Sequence, residues 1–418
     1  MSSKIDSVLK KNLVSQYLLQ GAKYILPLIT LVYLARVLGS DAYGFRSYVL
    51  SVMSMIQIVA EFGFENSGTE DIVKSGKDSK KQTFIASSVF FSRIVLLVIL
   101  AGVMFGVVAL IPLLQRDITF VAVSYLTVAF NTLIPDFIFM GKEDMGILTN
   151  RYLITKALYI VLLLLFVRSD ADLMMVAFAD MATSAIAFVW SYVAAWKRYS
   201  IGISFVSVRS IWSALKKSAY YFISRAATTL YTSFTTVIIG IAIPDTTQIA
   251  WWSLSMTIIG AVQSLFTPVN NVLYPRVIAT HDLSLIKRFS LIGGPISLVM
   301  TLGVFFLSPL VLEIAGGPDY SSGASVLSAL SLLIVVGFYG VLFGWPSLGA
   351  FGRIKELTAS TTAAALFHVI SLVVLWQTGL LTIMTICYLR DCTEVVMTGL
   401  RLINIRKLES DIDKGLVN

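Results

Sequence analysis

Lys23, Arg46, Arg93, Lys156, Arg225 and Arg390 stand inside long apolar runs of this chain. In hydrocarbon a charge of this kind costs at least about 2.5 kcal/mol on insertion scales, so a sequence that holds several at depth has a use for them. Five of the six lie roughly nine or more residues from the nearest end of their run. At about 1.5 Å of rise per residue, that depth exceeds what a side chain reaches by snorkelling. Arg46, only a few residues inside its run, can extend to the interface.

Acidic residues at comparable depth are fewer: Asp136, Asp180, Asp391 and Glu394, with Glu61 near the end of its run. Arg390 and Glu394 are four residues apart and can pair across one helical turn. Pairing throughout would still leave positive charge in surplus. That surplus suits a water-filled interior that binds an anion. The four carboxylates suit a coupling ion, since an acidic group in an apolar setting can exchange a proton or hold sodium. His368 is a lone candidate for proton relay. Gln20, Gln57, Asn131, Asn270 and Asn271 read as glue between helices. No glycine-rich loop leads to a Gly-Lys-Ser/Thr pair, and Ser75-Gly76-Lys77-Asp78 lacks the earlier glycine of a phosphate-binding loop.

The elements that must position these residues are membrane helices. With 57% hydrophobic and 13% charged residues over 418 positions, the chain has too little polar surface to solvate a globule. Apolar runs occupy residues 13–34, 43–64, 84–111, 118–140, 147–167, 173–196, 211–241, 249–273, 289–314, 324–345, 357–376 and 380–403. Most reach the roughly 20 residues that cross a bilayer core of about 30 Å. The expectation is an all-α polytopic membrane protein of twelve transmembrane helices. The first run, long and holding Lys23, reads as a span rather than a cleaved leader.

The net charge of +8 reflects orientation rather than nucleic acid, because the basic residues are scattered instead of massed with aromatics. Most of the 32 lysines and arginines fall in the termini and even-numbered loops, among them Lys74, Lys77, Lys80, Lys81, Arg151, Lys197, Arg209, Lys217, Arg353 and Arg401. The odd-numbered loops hold Arg36, Arg116 and Arg168, which places both termini in the cytoplasm. The connection over 197–210 separates a six-helix lobe over 1–196 from another over 211–418. Two such halves are a recurrent transporter plan. Far-side loops are only a few residues long, which argues against a catalytic domain there. Cys387 and Cys392 both fall in the last run, so neither a disulfide framework nor a metal site is expected. Tight turns are expected at 39–44 and at Gly316-Gly317-Pro318. Helix bends are expected at Pro27, Pro268, Pro275 and Gly293-Gly294-Pro295.

Three strings resemble the polysaccharide transporter family, which includes the O-antigen flippases and shares a superfamily with multidrug exporters and the lipid II flippase. They are Leu26-Pro27-Leu28 through Tyr33-Leu34-Ala35-Arg36-Val37-Leu38-Gly39 to Tyr43-Gly44, with Phe62-Gly63-Phe64 behind; Pro135-Asp136-Phe137-Ile138-Phe139-Met140-Gly141-Lys142; and Gly316-Gly317-Pro318-Asp319-Tyr320. A tryptophan common in the family near Phe137 is absent. The resemblance implies two six-helix lobes around a central cavity in the bacterial inner membrane. It implies a flippase that carries a polyprenyl-diphosphate-linked oligosaccharide from the cytoplasmic to the periplasmic leaflet by alternating access. Lys23, Arg46, Arg93, Lys156, Arg225 and Arg390 would then attract the diphosphate. Asp136, Asp180, Asp391 and Glu394 would be available to a coupling proton or sodium ion, with no cofactor. Membrane lipids, a polysaccharide polymerase and chain-length proteins are the implied partners. A multidrug exporter of the superfamily is the alternative, but it should line its cavity with acidic charge. A membrane glycosyltransferase or polymerase would need a sizeable extracytoplasmic loop.

Overall fold

The structure is a computed structural model. It describes the backbone of residues 2–414, and side chains there other than those of residues 2–20, 22–25, 223–232, 268, 269, 271 and 413. Every regular element among these residues is helical. In order they are α1 (Ser2–Glu61), α2 (Phe64–Lys74), α3 (Ser79–Leu110), α4 (Pro112–Gln115), α5 (Ile118–Leu133), α6 (Asp136–Gly141), α7 (Met145–Phe166) and α8 (Leu173–Tyr199). Then come α9 (Val208–Ala242), α10 (Thr246–Ser264), α11 (Thr267–Thr280), α12 (Leu283–Gly316), α13 (Ala324–Leu330), α14 (Leu332–Phe343), α15 (Ile354–Gln377) and α16 (Ile383–Asp413).

Eight stretches among the described residues are long and apolar enough to cross a membrane. Their outward faces are apolar as well. Phe105 on α3 and Leu291 and Phe306 on α12 are each more than 70% exposed, a surface that only a lipid environment leaves uncovered without cost. The chain is a multi-pass membrane protein.

The helices fall on the apolar runs, with differences at their joints. The turn expected over 39–44 is reduced to a kink at Gly39, at φ 68° and ψ 177°, where two helical segments meet within α1. A residue with a Cβ is strained at that φ, so a single glycine makes the turn expected over six residues. The fourth run breaks at Ile134 and Pro135 into α5 and α6, since Pro135 has no N–H to continue the ladder. Pro268 does mark a joint, at the first turn of α11. Gly317 lies at φ 94° where α12 ends, as the Gly-Gly-Pro string suggests.

Two compact units divide the chain. One comprises residues up to Leu38 together with Phe45–Val237. In it α8 packs on α5 and α7, α3 on α5, and α2 on α6. The α2–α6 crossing is close because both helices present glycine there. A Cβ on Gly68 would stand 2.8 Å from the Phe137 ring, and one on Gly141 would stand 2.6 Å from Ile72. Phe64, Ile72, Phe137 and Phe139 are fully buried around this crossing.

The other unit comprises Gly39–Gly44 and the chain from Ile238 onward. Here α12 packs on α13 and α14, and α16 on α13, α14 and α15. Gly293 and Gly294, where a bend of α12 is expected, are closely packed. The Phe338 ring and the Tyr339 hydroxyl lie where their Cβ atoms would be. Gly44 is the tightest contact of the unit, since a Cβ there would overlap the Thr246 carbonyl. Around it the Thr246 hydroxyl donates to Asp41, and the Tyr320 hydroxyl donates to the Gly39 carbonyl at 3.3 Å. A backbone atom cannot swing away as a side chain can. Gly44→Ala is therefore expected to cost about 1–3 kcal/mol or more and to reduce folded protein in detergent extracts. Gly102→Ala, with open space around it, should leave the yield unchanged.

Candidate functional site

Arg46, Lys156 and Asp180, distant in sequence, line one cavity of about 170 Å³ in the first unit, together with Pro27, Thr30 and Tyr159. Lys156 is eleven residues into α7 and ten from its end, so about 15 Å of helix lies on either side. Its Nζ stands 3.8 Å from Asp180 Oδ1 and 5.1 Å from the Tyr159 ring centroid. At 3.8 Å the pair is a loose one. The Lys156 side chain remains 37% exposed and that of Asp180 24%, so both reach the cavity. Pro27 contributes by its position in α1, where the Thr30 hydroxyl donates to the Pro27 carbonyl at 2.9 Å. The Tyr159 hydroxyl is buried with no hydrogen-bond partner. Two cations against one carboxylate make this lining net positive at mid-helix depth, and an anion is what it can hold.

Arg93 and Asp136 lie elsewhere in the same unit, at the break between α5 and α6. The break releases backbone carbonyls that must be satisfied in an apolar setting. Arg93 Nη1 donates to the Ile134 carbonyl at 2.9 Å, and the Tyr192 hydroxyl donates to the Leu133 carbonyl at 3.1 Å. The Arg93 guanidinium lies 5.9 and 5.7 Å from the ring centroids of Phe64 and Phe137. Cation–π attraction of this kind supplements the single hydrogen bond. Arg93 is 4% exposed and makes no ion pair among the described residues. Its geometry fits a cap on the broken helix rather than a cavity wall. One residue further on, Asp136 takes two hydrogen bonds from Arg151, at 2.5 and 3.0 Å, while Arg151 also donates to Ser191 at 2.8 Å.

The second unit holds Arg390, Asp391 and Glu394 on α16. Arg390 Nη1 donates to Glu394 Oε2 at 2.9 Å, the one-turn pair expected from the sequence, with both side chains buried. Asp391 is 7% exposed and its Oδ1 has no hydrogen-bond partner. His368 on α15 is fully buried, and its Nδ1 lies 2.8 Å from the Thr393 hydroxyl. That hydroxyl spends its hydrogen on the Leu389 carbonyl at 2.7 Å, so Nδ1 is the donor to Thr393. The side chains of Lys23 and Arg225 lie outside the described residues.

Two residues treated in the sequence as orientation markers are built into the interior instead. Arg151 is 7% exposed within α7. Arg401 is 9% exposed within α16, donating to the Gly340 carbonyl at 2.6 Å, Thr361 at 2.9 Å and Ser360 at 3.4 Å. Both fall inside their apolar runs, at 147–167 and 380–403. Each lies within four residues of its run's end, so the depth that singled out Lys156 did not mark them.

This architecture defines the class. The fold is that of transporters of the superfamily containing the multidrug MATE proteins and the lipid II flippase. The chain superimposes on "Lipid II flippase MurJ, inward closed conformation" with a TM-score of 0.74 at 13% identity, covering 94% of this chain and 87% of that one. On an inward-facing multidrug resistance MATE family transporter of the MOP superfamily the TM-score is 0.69 at 13% identity, covering 95% and 99%. Residues 9–281 match the family described as "Polysaccharide biosynthesis protein", and the chain belongs to that family. It is 27% identical over 408 residues to a "Putative O-antigen transporter" of Escherichia coli (strain K12), covering 95% of this chain and 97% of the relative. A protein of the same description from Shigella dysenteriae is 22% identical over 368 residues, covering 87% and 91%.

Proposed function

We propose that the chain is a flippase for a polyprenyl-diphosphate-linked oligosaccharide, an O-antigen or similar repeat unit. It carries this substrate from the cytoplasmic to the periplasmic leaflet of the inner membrane by alternating access. Twelve helices in two six-helix lobes around a central cavity, with both termini cytoplasmic, are the arrangement this reading adopts. The observation that carries it is the cavity of Arg46, Lys156 and Asp180, whose lining is net positive at mid-helix depth. Family membership and the O-antigen transporter names of the two relatives point to the same substrate.

A diphosphate needs cations at depth, the sugars need a polar path, and the prenyl tail can stay in lipid. A cationic drug would meet repulsion at the same place. The test is complementation. In a strain deleted for its own O-antigen flippase, this chain restores surface polysaccharide. Accumulation of the lipid-linked unit on the inner leaflet despite normal insertion of the chain would contradict the reading.

The four carboxylates inside the apolar runs divide by their partners. Asp136 is held by Arg151 and Glu394 by Arg390, so neither is positioned to release a counter-ion and take up another. Asp180, in a loose pair facing the cavity, and Asp391, with one oxygen unpartnered, are the carboxylates we assign to a coupling proton or sodium ion. Asp180→Asn and Asp391→Asn are expected to remove most of the dependence of transport on an imposed ion gradient. Glu394→Gln should lower stability and leave that dependence in place. Measuring transport in vesicles with and without the gradient separates the two classes.

A further inference from the structure

A second cavity, of about 320 Å³, opens in the first unit where α3 and α9 begin. One wall is apolar, made by Phe84, Ile85 and Val89, and the opposite wall carries Arg209 and Ser213. Lys217 and Asp71 also line it and neutralise each other at 2.5 Å, with Glu70 a further 3.7 Å contact of Lys217. Arg209 makes no ion pair among the described residues, and the Ser213 hydroxyl makes no hydrogen bond there. The cavity therefore joins an uncompensated guanidinium and a hydroxyl to a hydrocarbon-like surface.

The face of α9 beside the cavity shows where the mouth lies. Val208, Trp212, Lys216 and Tyr220 follow one another at four-residue spacing and are all exposed, Trp212 at 69% and Tyr220 at 79%. Phe205, in the connection just before the helix, is 96% exposed. Tryptophan, tyrosine and lysine along one helix face make up an interfacial surface, whose rings settle at the level of the lipid headgroups. Arg209 then stands at phosphate depth, with the apolar wall running inward from it.

We propose that this cavity binds an anionic bilayer phospholipid. Arg209 takes the phosphate oxygens through its fork of N–H donors, Ser213 adds a hydrogen bond, and Phe84, Ile85 and Val89 cover the first methylenes of an acyl chain. The site is separate from the cavity of Arg46 and Lys156 and does not depend on the nature of the transported substrate.

The test is native mass spectrometry of the full chain released from nanodiscs, made either of phosphatidylcholine or of phosphatidylcholine doped with phosphatidylglycerol. Wild type is expected to retain one phosphatidylglycerol under activation that strips phosphatidylcholine. Arg209→Gln should lower the retained fraction about tenfold, as loss of a charge-assisted contact does. Lys216→Gln, on the outer face of the same helix, should leave it unchanged. Both variants are compared at matched thermal stability. Equal retention by Arg209→Gln, equal loss in Lys216→Gln, or equal retention of phosphatidylcholine by wild type would each overturn the proposal. Release of the lipid by added inorganic phosphate would also overturn it, since the apolar wall would then contribute nothing.

Discussion

Arg151→Ala is expected to destabilise the first unit by about 3 kcal/mol, the largest loss of any single substitution at the polar groups described above. Arg151 ties three helices at one point, reaching from α7 to Asp136 at the head of α6 and to Ser191 on α8. Removing it leaves the Asp136 carboxylate without its two charge-assisted hydrogen bonds beside the α5–α6 break. The cost stays at the low end for a buried pair because the Asp136 side chain is 32% exposed and can recover some solvation. Removing both charges in Arg151→Ala with Asp136→Ala should cost less than the sum of the two single changes, since no charge is then stranded. The check is thermal unfolding of the detergent-purified protein followed by helical circular dichroism. Additive losses would show that the pair is not coupled.

Lys156→Ala is expected to act in the opposite sense, abolishing transport while leaving the fold intact. The Lys156 side chain is more than a third exposed and its pair with Asp180 is long, so little folding energy is at stake. A cation that meets a partly desolvated phosphate is worth about 2–5 kcal/mol when truncated, which is at least about thirtyfold in affinity. Surface polysaccharide in the complementation strain should fall accordingly, with chain levels in the membrane unchanged. Lys156→Arg should retain much of the activity, because the charge remains in place. A lysine that served only to stabilise α7 against α8 would instead give lower membrane levels in Lys156→Ala and normal activity per molecule.

Helix identity and the polytopic class were legible because apolar runs of membrane length leave few alternatives, and α3, α7, α8 and α15 lie close to where those runs place them. The joints were less legible. Whether a glycine-bounded stretch turns over several residues or kinks at one depends on single φ angles, and at 39–44 only Gly39 departs. Breaks such as Ile134–Pro135 were missed because the run continues apolar on both sides of Pro135 and Asp136. It is Arg93 and Tyr192, distant in sequence, that satisfy the carbonyls released there.

The candidate site shows the same division. Depth in a run singled out charged residues but could not say which share a cavity. Lys156 and Asp180 meet because α7 and α8 pack antiparallel in register, and Arg46 joins them from α1. Arg93, equally deep, caps a helix break instead. Arg151 and Arg401 were masked by counting them with neighbouring loops, since a basic residue near a run's end reads alike whether it faces water or the core.

The central claim is that cations inside the first unit draw a lipid-linked diphosphate through the membrane. Its most direct measurement follows a fluorescent polyprenyl-diphosphate oligosaccharide across proteoliposomes containing the purified chain, with an impermeant quencher reporting arrival at the opposite leaflet. The account predicts movement by wild type, at least about thirtyfold slower movement in Lys156→Ala, and no movement of the same glycan on a neutral lipid. Equal rates in wild type and Lys156→Ala, or transfer that ignores the diphosphate, would contradict it.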